Sequence, residues 1–153
     1  MAQIIAPDPS SFAELPPERA LMFGPPGPFA RANFPSLVGL ALEEVRTDYA
    51  RMGLAFRPEL NQPAGVVHGG AIATLIDTVV VPAVGCGYDQ IPLMLTLNLN
   101  ISFLGAVRGE DMVAEGWVTK RGRSIVFCSA LVRTVAGEPV ASGELVYKVR
   151  PVA

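Results

Sequence analysis

The stretch His68-Gly69-Gly70-Ala71-Ile72-Ala73-Thr74-Leu75-Ile76-Asp77-Thr78-Val79-Val80-Val81-Pro82-Ala83-Val84 decides how the rest of this chain must be arranged. It has almost no polar face, and Asp77 is its one ionisable residue after His68. The β-branched tail from Thr78 to Val81 would also suit a strand, so periodicity leaves both open. Its length and its Gly69-Gly70 start favour a helix. A helix apolar all round has to be buried on all sides.

Strand patterns flank it. Leu93–Leu104 alternates, with Leu95, Leu97, Leu99, Ile101 and Phe103 on one face and Thr96, Asn98, Asn100 and Ser102 on the other. Met112–Lys120, Ser124–Val135 and Pro139–Val149 read as three more strands, and their short connections suit antiparallel hairpins. Upstream, Leu40–Arg46 and Tyr49–Phe56 read as two strands turning near Asp48. Two strands, a buried helix and four strands make an α+β domain over residues 39–150: a long antiparallel sheet wrapped around a central helix. The far face of that sheet is then bare, and another subunit is its expected cover.

Residues 1–38 are different. Pro7, Pro9, Pro16, Pro17, Pro25, Pro26, Pro28 and Pro35 are eight of the fourteen prolines. Such a segment cannot hold long helices or central strands. It reads as an arm that lies on the domain or stays mobile, with a short helix around Phe29–Leu37. Met1–Pro9 lacks a basic patch followed by an apolar core, so no signal peptide is expected. The longest apolar run, Val79–Gly87, is too short to span a bilayer.

Half of the 153 residues are hydrophobic, 17% are charged and the net charge is −2. Such a chain is globular, and it lacks the basic run that nucleic acid or an anionic membrane surface would attract. Cys86 and Cys128 do not make a disulfide framework and fit a reducing cytoplasm. His68 is the one histidine and no Cys-x-x-Cys pair exists, so no metal site is expected.

Two features could carry chemistry. The glycines of Asn61-Gln62-Pro63-Ala64-Gly65-Val66-Val67-His68-Gly69-Gly70 let another molecule approach bare backbone at a helix start, where free N–H groups stabilise a developing oxyanion. They could equally serve only tight helix–sheet packing. Asp77 is a carboxylate inside an apolar helix, which needs a partner or a purpose: a nucleophile, a general base, or a structural acid bonded to a strand. Gly69 and Asp77 lie eight positions apart, about 12 Å along a helix, so one helix cannot bring both to one reacting group. Joint action requires two antiparallel helices across a twofold axis. His68 at a helix N-terminus is disfavoured as a cation and is either structural or a substrate contact. Lys120, Arg121 and Arg123 could meet phosphates, or decorate a solvated turn.

The string Gln62-x-x-Gly65-x-x-His68-Gly69-Gly70-x-x-x-x-x-x-Asp77 resembles the hotdog-fold thioesterase superfamily, in particular the branch of phenylacetate-pathway and 4-hydroxybenzoyl-CoA thioesterases. The likeness continues through Thr96–Leu104, Gly122-Arg123-Ser124 and Val140-Ala141-x-Gly143. The resemblance implies a hotdog fold that hydrolyses an acyl-CoA with an aromatic or medium-chain acyl group. Asp77 would be nucleophile or base, the Gly69 amide would polarise the carbonyl, and Gln62, His68 and Thr96 would assist. Gly70, Asn61, Arg121 and Arg123 would contact substrate. Coenzyme A is part of the substrate and no separate cofactor is implied. The assembly implied is a homodimer, paired further into a homotetramer. Members with glutamine at the position of Gln62 often carry glutamate as the acid, whereas this chain has Asp77. The alternatives are a non-catalytic acyl-CoA binder, or a hotdog hydratase or dehydratase.

Overall fold

The alternating segments pair as their hairpin connections demand. The structure, a computed structural model, describes residues 5–24, 29 and 31–152. Two short helices, α1 (Pro17–Ala20) and α2 (Phe34–Val38), precede β1 (Leu40–Arg46) and β2 (Tyr49–Leu54). Then come α3 (Gly69–Gly85), β3 (Leu93–Phe103), β4 (Met112–Arg121), β5 (Ile125–Thr134) and β6 (Pro139–Arg150). The six strands form one sheet in the order β1-β2-β4-β5-β6-β3, every neighbouring pair antiparallel. Asp48 makes the β1–β2 turn at φ 64°, a left-handed conformation that aspartate tolerates better than most residues. This is the expected α+β hotdog arrangement, with α3 packed on one face of the sheet. The short helix expected around Phe29–Leu37 is α2, starting later, at Phe34. Of the proline-rich run, Pro25–Pro28 lie outside the described residues.

Glycines let α3 seat deeply. A Cβ on Gly116 of β4 would meet Val79 Cγ1 and Val80 Cγ1 at 2.8 Å, and one on Gly143 of β6 would meet Ile76 Cγ2 at 2.6 Å. Ile72, Leu75, Ile76, Val79, Val80 and Val84 are buried in the resulting core.

Three expectations need correction. First, α3 is not enclosed on every side within one chain. Ala73, Thr74, Asp77 and Val81 are only partly buried. Their spacing of three to four residues places them in one stripe, which the sheet covers only in part.

Second, the alternation of β3 breaks. Its register against β6 shifts between Thr96 and Asn98, so Leu97 is a bulge. Before the bulge, Met94 and Thr96 point toward the helix; after it, Leu99 and Ile101 do. Leu95 and Leu97 are left 54% and 58% exposed, not on the core face.

Third, part of the sheet's far face is covered by the chain's own arm. Tyr49, Trp117 and Leu131 form a second buried cluster there, packed by Ala6 and Phe12. The Phe12 ring stacks on Tyr49 at 5.1 Å. Thr47 N–H bonds to Ala13 O at 2.9 Å and pins the arm's path. Beneath this cover the buried Glu115 accepts from Tyr49 Oη (2.9 Å) and Arg133 Nη1 (2.7 Å), as a buried carboxylate must be paired.

Candidate active site

The open stripe of α3 is one wall of a groove of about 470 Å³. Asp77 lies in it, with Thr96 of β3 and Tyr147 of β6 opposite. The bulge brings Thr96 there: without it Thr96 would face outward. Thr96 Oγ1 donates to Asp77 Oδ1 at 2.9 Å. Tyr147 Oη lies 2.6 Å from Oδ1 and 2.6 Å from the Asp77 backbone oxygen, so its single proton is shared between two acceptors. Burial, then the nearby Asp77 charge, raise the Tyr147 phenol above its ordinary value and keep it a neutral donor. Both hydroxyls serve Oδ1. Among the described residues none donates to Oδ2.

Asp77 was legible in the sequence as the acid in an apolar helix; Tyr147 was missed. One feature could have found it. Ala141, Gly143, Leu145, Tyr147 and Val149 share the inward parity of β6, and a tyrosine at such a position needs a buried partner for its hydroxyl.

At the other end of the site, His68 caps α3. Its Nδ1 accepts from Gly70 N at 2.8 Å, which leaves the ring proton of the neutral imidazole on Nε2. Gly70's N–H is thereby used, whereas Gly69's bonds to nothing among the described residues. Gly69 is also tightly packed, since a Cβ there would lie 3.2 Å from Phe103 Cζ. The start of α3 thus combines close packing with an N–H that no described residue engages.

Gln62 sits in the preceding turn, where Oε1 accepts from Ala64 N at 3.2 Å and its amide nitrogen remains available. The neighbouring Asn61 has a buried side-chain oxygen with no hydrogen-bond partner. The basic pair at the β4–β5 hairpin lies elsewhere. Arg121 binds Asp48, is not among the residues that line the groove, and donates to Val84 O (3.2 Å) and Ala83 O (3.3 Å) at the end of α3, a favourable place for a cation. Arg123 is exposed. Within one chain the structure thus brings Asp77 and Thr96 together, and keeps Gly69, Gln62 and His68 at the helix start.

Both cysteines are buried. Burial pushes the Cys86 thiol up and the Cys128 thiol up to about 12. A thiol so placed holds almost no thiolate near neutral pH. Ellman's reagent at pH 8 is expected to find no reactive thiol in the native protein and two in denaturant. A native thiol that reacts within minutes would contradict the burial.

The family model described as "Thioesterase superfamily" matches residues 64–141. Human acyl-coenzyme A thioesterase 13 is 32% identical over 81 residues, covering 52% of this chain and 57% of that protein, so the chain spans just over half the length of the curated relatives it matches. A conserved protein of Pseudomonas aeruginosa superposes with a TM-score of 0.72 at 25% identity, covering 80% of this chain and 97% of that one. The E. coli PaaI protein from the phenylacetic acid degradation operon superposes with a TM-score of 0.71, over 76% of this chain and 83% of that one; at 15% identity it speaks for the fold alone. The family model covers half of the chain and the fold agrees with it, and the chain belongs to the hotdog-fold thioesterase superfamily.

Proposed function

We propose that this protein hydrolyses acyl-CoA thioesters, with Asp77 as the general base. The observation that carries the reading is a carboxylate held by two hydroxyls through Oδ1, its Oδ2 unengaged, in a largely apolar groove. Asp77 Oδ2 takes a proton from water while the water oxygen adds to the thioester carbonyl carbon. The resulting oxyanion is stabilised by the free Gly69 N–H of the other subunit. Collapse breaks the C–S bond, and the departing thiolate recovers the proton, giving free acid and CoA. A short aspartate anchored in this way suits activation of water better than direct attack.

The cross-subunit step supplies the roughly 12 Å that one helix cannot bridge. It is supported by β3, an edge of the sheet whose Leu93, Leu95 and Leu97 are exposed by more than half. Dimers paired into tetramers, an aromatic or medium-chain acyl group, substrate contacts from Asn61, Gly70 and Arg123, and a reducing cytoplasmic setting complete the proposal. Sedimentation showing a stable monomer at micromolar concentration would remove the shared site.

The direct test is thiol release from a panel of aromatic and aliphatic acyl-CoAs. Turnover is expected. Tight acyl-CoA binding with no release would favour a non-catalytic binder, and a change in enone absorbance with an enoyl-CoA would favour a hydratase. Tyr147→Phe removes one of the two hydroxyls that orient Asp77. It is expected to lower kcat about tenfold, the effect of roughly 1.4 kcal/mol at the transition state, with KM nearly unchanged. An unaltered kcat would strip Tyr147 of its positioning role.

A further inference from the structure

We infer that the N-terminal arm, through Phe34 and Phe29, forms the acyl-selecting wall of the groove and favours acyl groups that carry an apolar ring over short ones. The inference rests on the thioesterase reading and goes beyond it, because the arm lies outside the matched residues 64–141. Asp77, Thr96 and Tyr147 form the reacting side of the groove, and Phe29, Phe34 and Pro35 face it from the arm. At about 470 Å³ the space is within the range of small-ligand pockets and far larger than an acetyl group needs.

The two rings have different footings. Phe29 is partly buried and packs against the hydrophobic core. Phe34 is 61% exposed, so the described residues leave most of it uncovered. Its position is set by the ends of α2 instead. Asn33 Oδ1 accepts from Ser36 N (3.0 Å) while Ser36 Oγ accepts from Asn33 N (3.1 Å), a reciprocal cap. At the other end Gly39 adopts φ 92° and its N–H bonds to Pro35 O at 3.0 Å. The Arg57 guanidinium donates to Leu37 O and ties the helix to the domain. A large ring held out at a groove by fixed backbone is preorganised to pack on a ligand, at small entropic cost. Aromatic rings gain further from edge-to-face or offset contacts with another ring. Leu37, on the same helix and 70% exposed, does not line the groove. It provides the control.

The experiment compares kcat/KM for phenylacetyl-CoA and acetyl-CoA. The wild type is expected to prefer phenylacetyl-CoA. In Phe34→Ala the ratio is expected to fall about tenfold, the scale of losing apolar contact in a specificity pocket. Phe34→Tyr, which keeps a ring at an exposed site, should hold the ratio within about twofold, and Leu37→Ala should leave it unchanged. An unaltered ratio in Phe34→Ala would overturn the inference while leaving the thioesterase reading intact. So would an equal fall in Leu37→Ala, which would assign the effect to the stability of α2. Wild-type protein that releases no thiol from either ester would instead sink the thioesterase reading, and the inference with it.

Discussion

Replacing Asp77 by alanine is expected to reduce thiol release from a good acyl-CoA substrate by about a thousandfold, within the span that a positioned base contributes. The fold should survive the change. Tyr147 Oη already lies 2.6 Å from the backbone oxygen of residue 77, and alanine keeps that acceptor. Thr96 is exposed, so its hydroxyl can turn to water. No buried donor is stranded, and that is where the larger costs of removing a polar partner arise. Asp77→Asn refines the test, because the amide keeps an oxygen for both hydroxyls but cannot accept a proton as a carboxylate does. Both variants should remain folded by circular dichroism. Activity within tenfold of wild type in Asp77→Asn would remove Asp77 as base.

Gly116→Ala is expected to cost about 2 kcal/mol of stability, in the usual range for overpacking a core. The added carbon would meet Val79 Cγ1 and Val80 Cγ1 at 2.8 Å and the Val80 backbone nitrogen at 3.2 Å. β-branched side chains in a helix hold one χ1 rotamer, so those methyls cannot swing aside. The helix itself must lift. For a domain of this size the loss corresponds to a melting temperature lower by roughly 4–8 °C. Asp77 lies less than one turn from Val80, so the same displacement should loosen its contacts with Thr96 and Tyr147. We therefore expect kcat to fall together with melting temperature, and more than in a variant equally destabilised far from α3. Thermal unfolding monitored beside steady-state kinetics checks both, and a melting temperature within 1 °C of wild type would contradict the seating of α3 on Gly116.

Much of this protein is local, and what is local was legible. Apolar alternation and the glycine-containing hairpins marked the strands. The His68-Gly69-Gly70 start and the apolar run behind it marked α3, because burial periodicity and helix initiation depend on near neighbours in the chain. Asp77 stood out for the same reason: a carboxylate among Ile76, Val79 and Val80 is anomalous without any knowledge of the fold.

What needed the tertiary structure was every feature that depends on which distant residues meet. The bulge at Leu97 leaves no mark on the alternation of β3, since it is set by register against β6, yet it turns Thr96 toward Asp77. Tyr147 lies 70 positions beyond the acid it holds, and only strand pairing brings the two together. Arg121 has the composition of a solvated turn, but its guanidinium closes the end of α3. The arm looked merely proline-rich until packing laid Phe12 on Tyr49 and set Phe34 at the groove. Sequence by itself determined the elements and the anomalous acid, because short-range propensity and hydrophobic pattern do. Partners of those groups were decided by the folded sheet, because contacts between distant segments are a property of the whole packing.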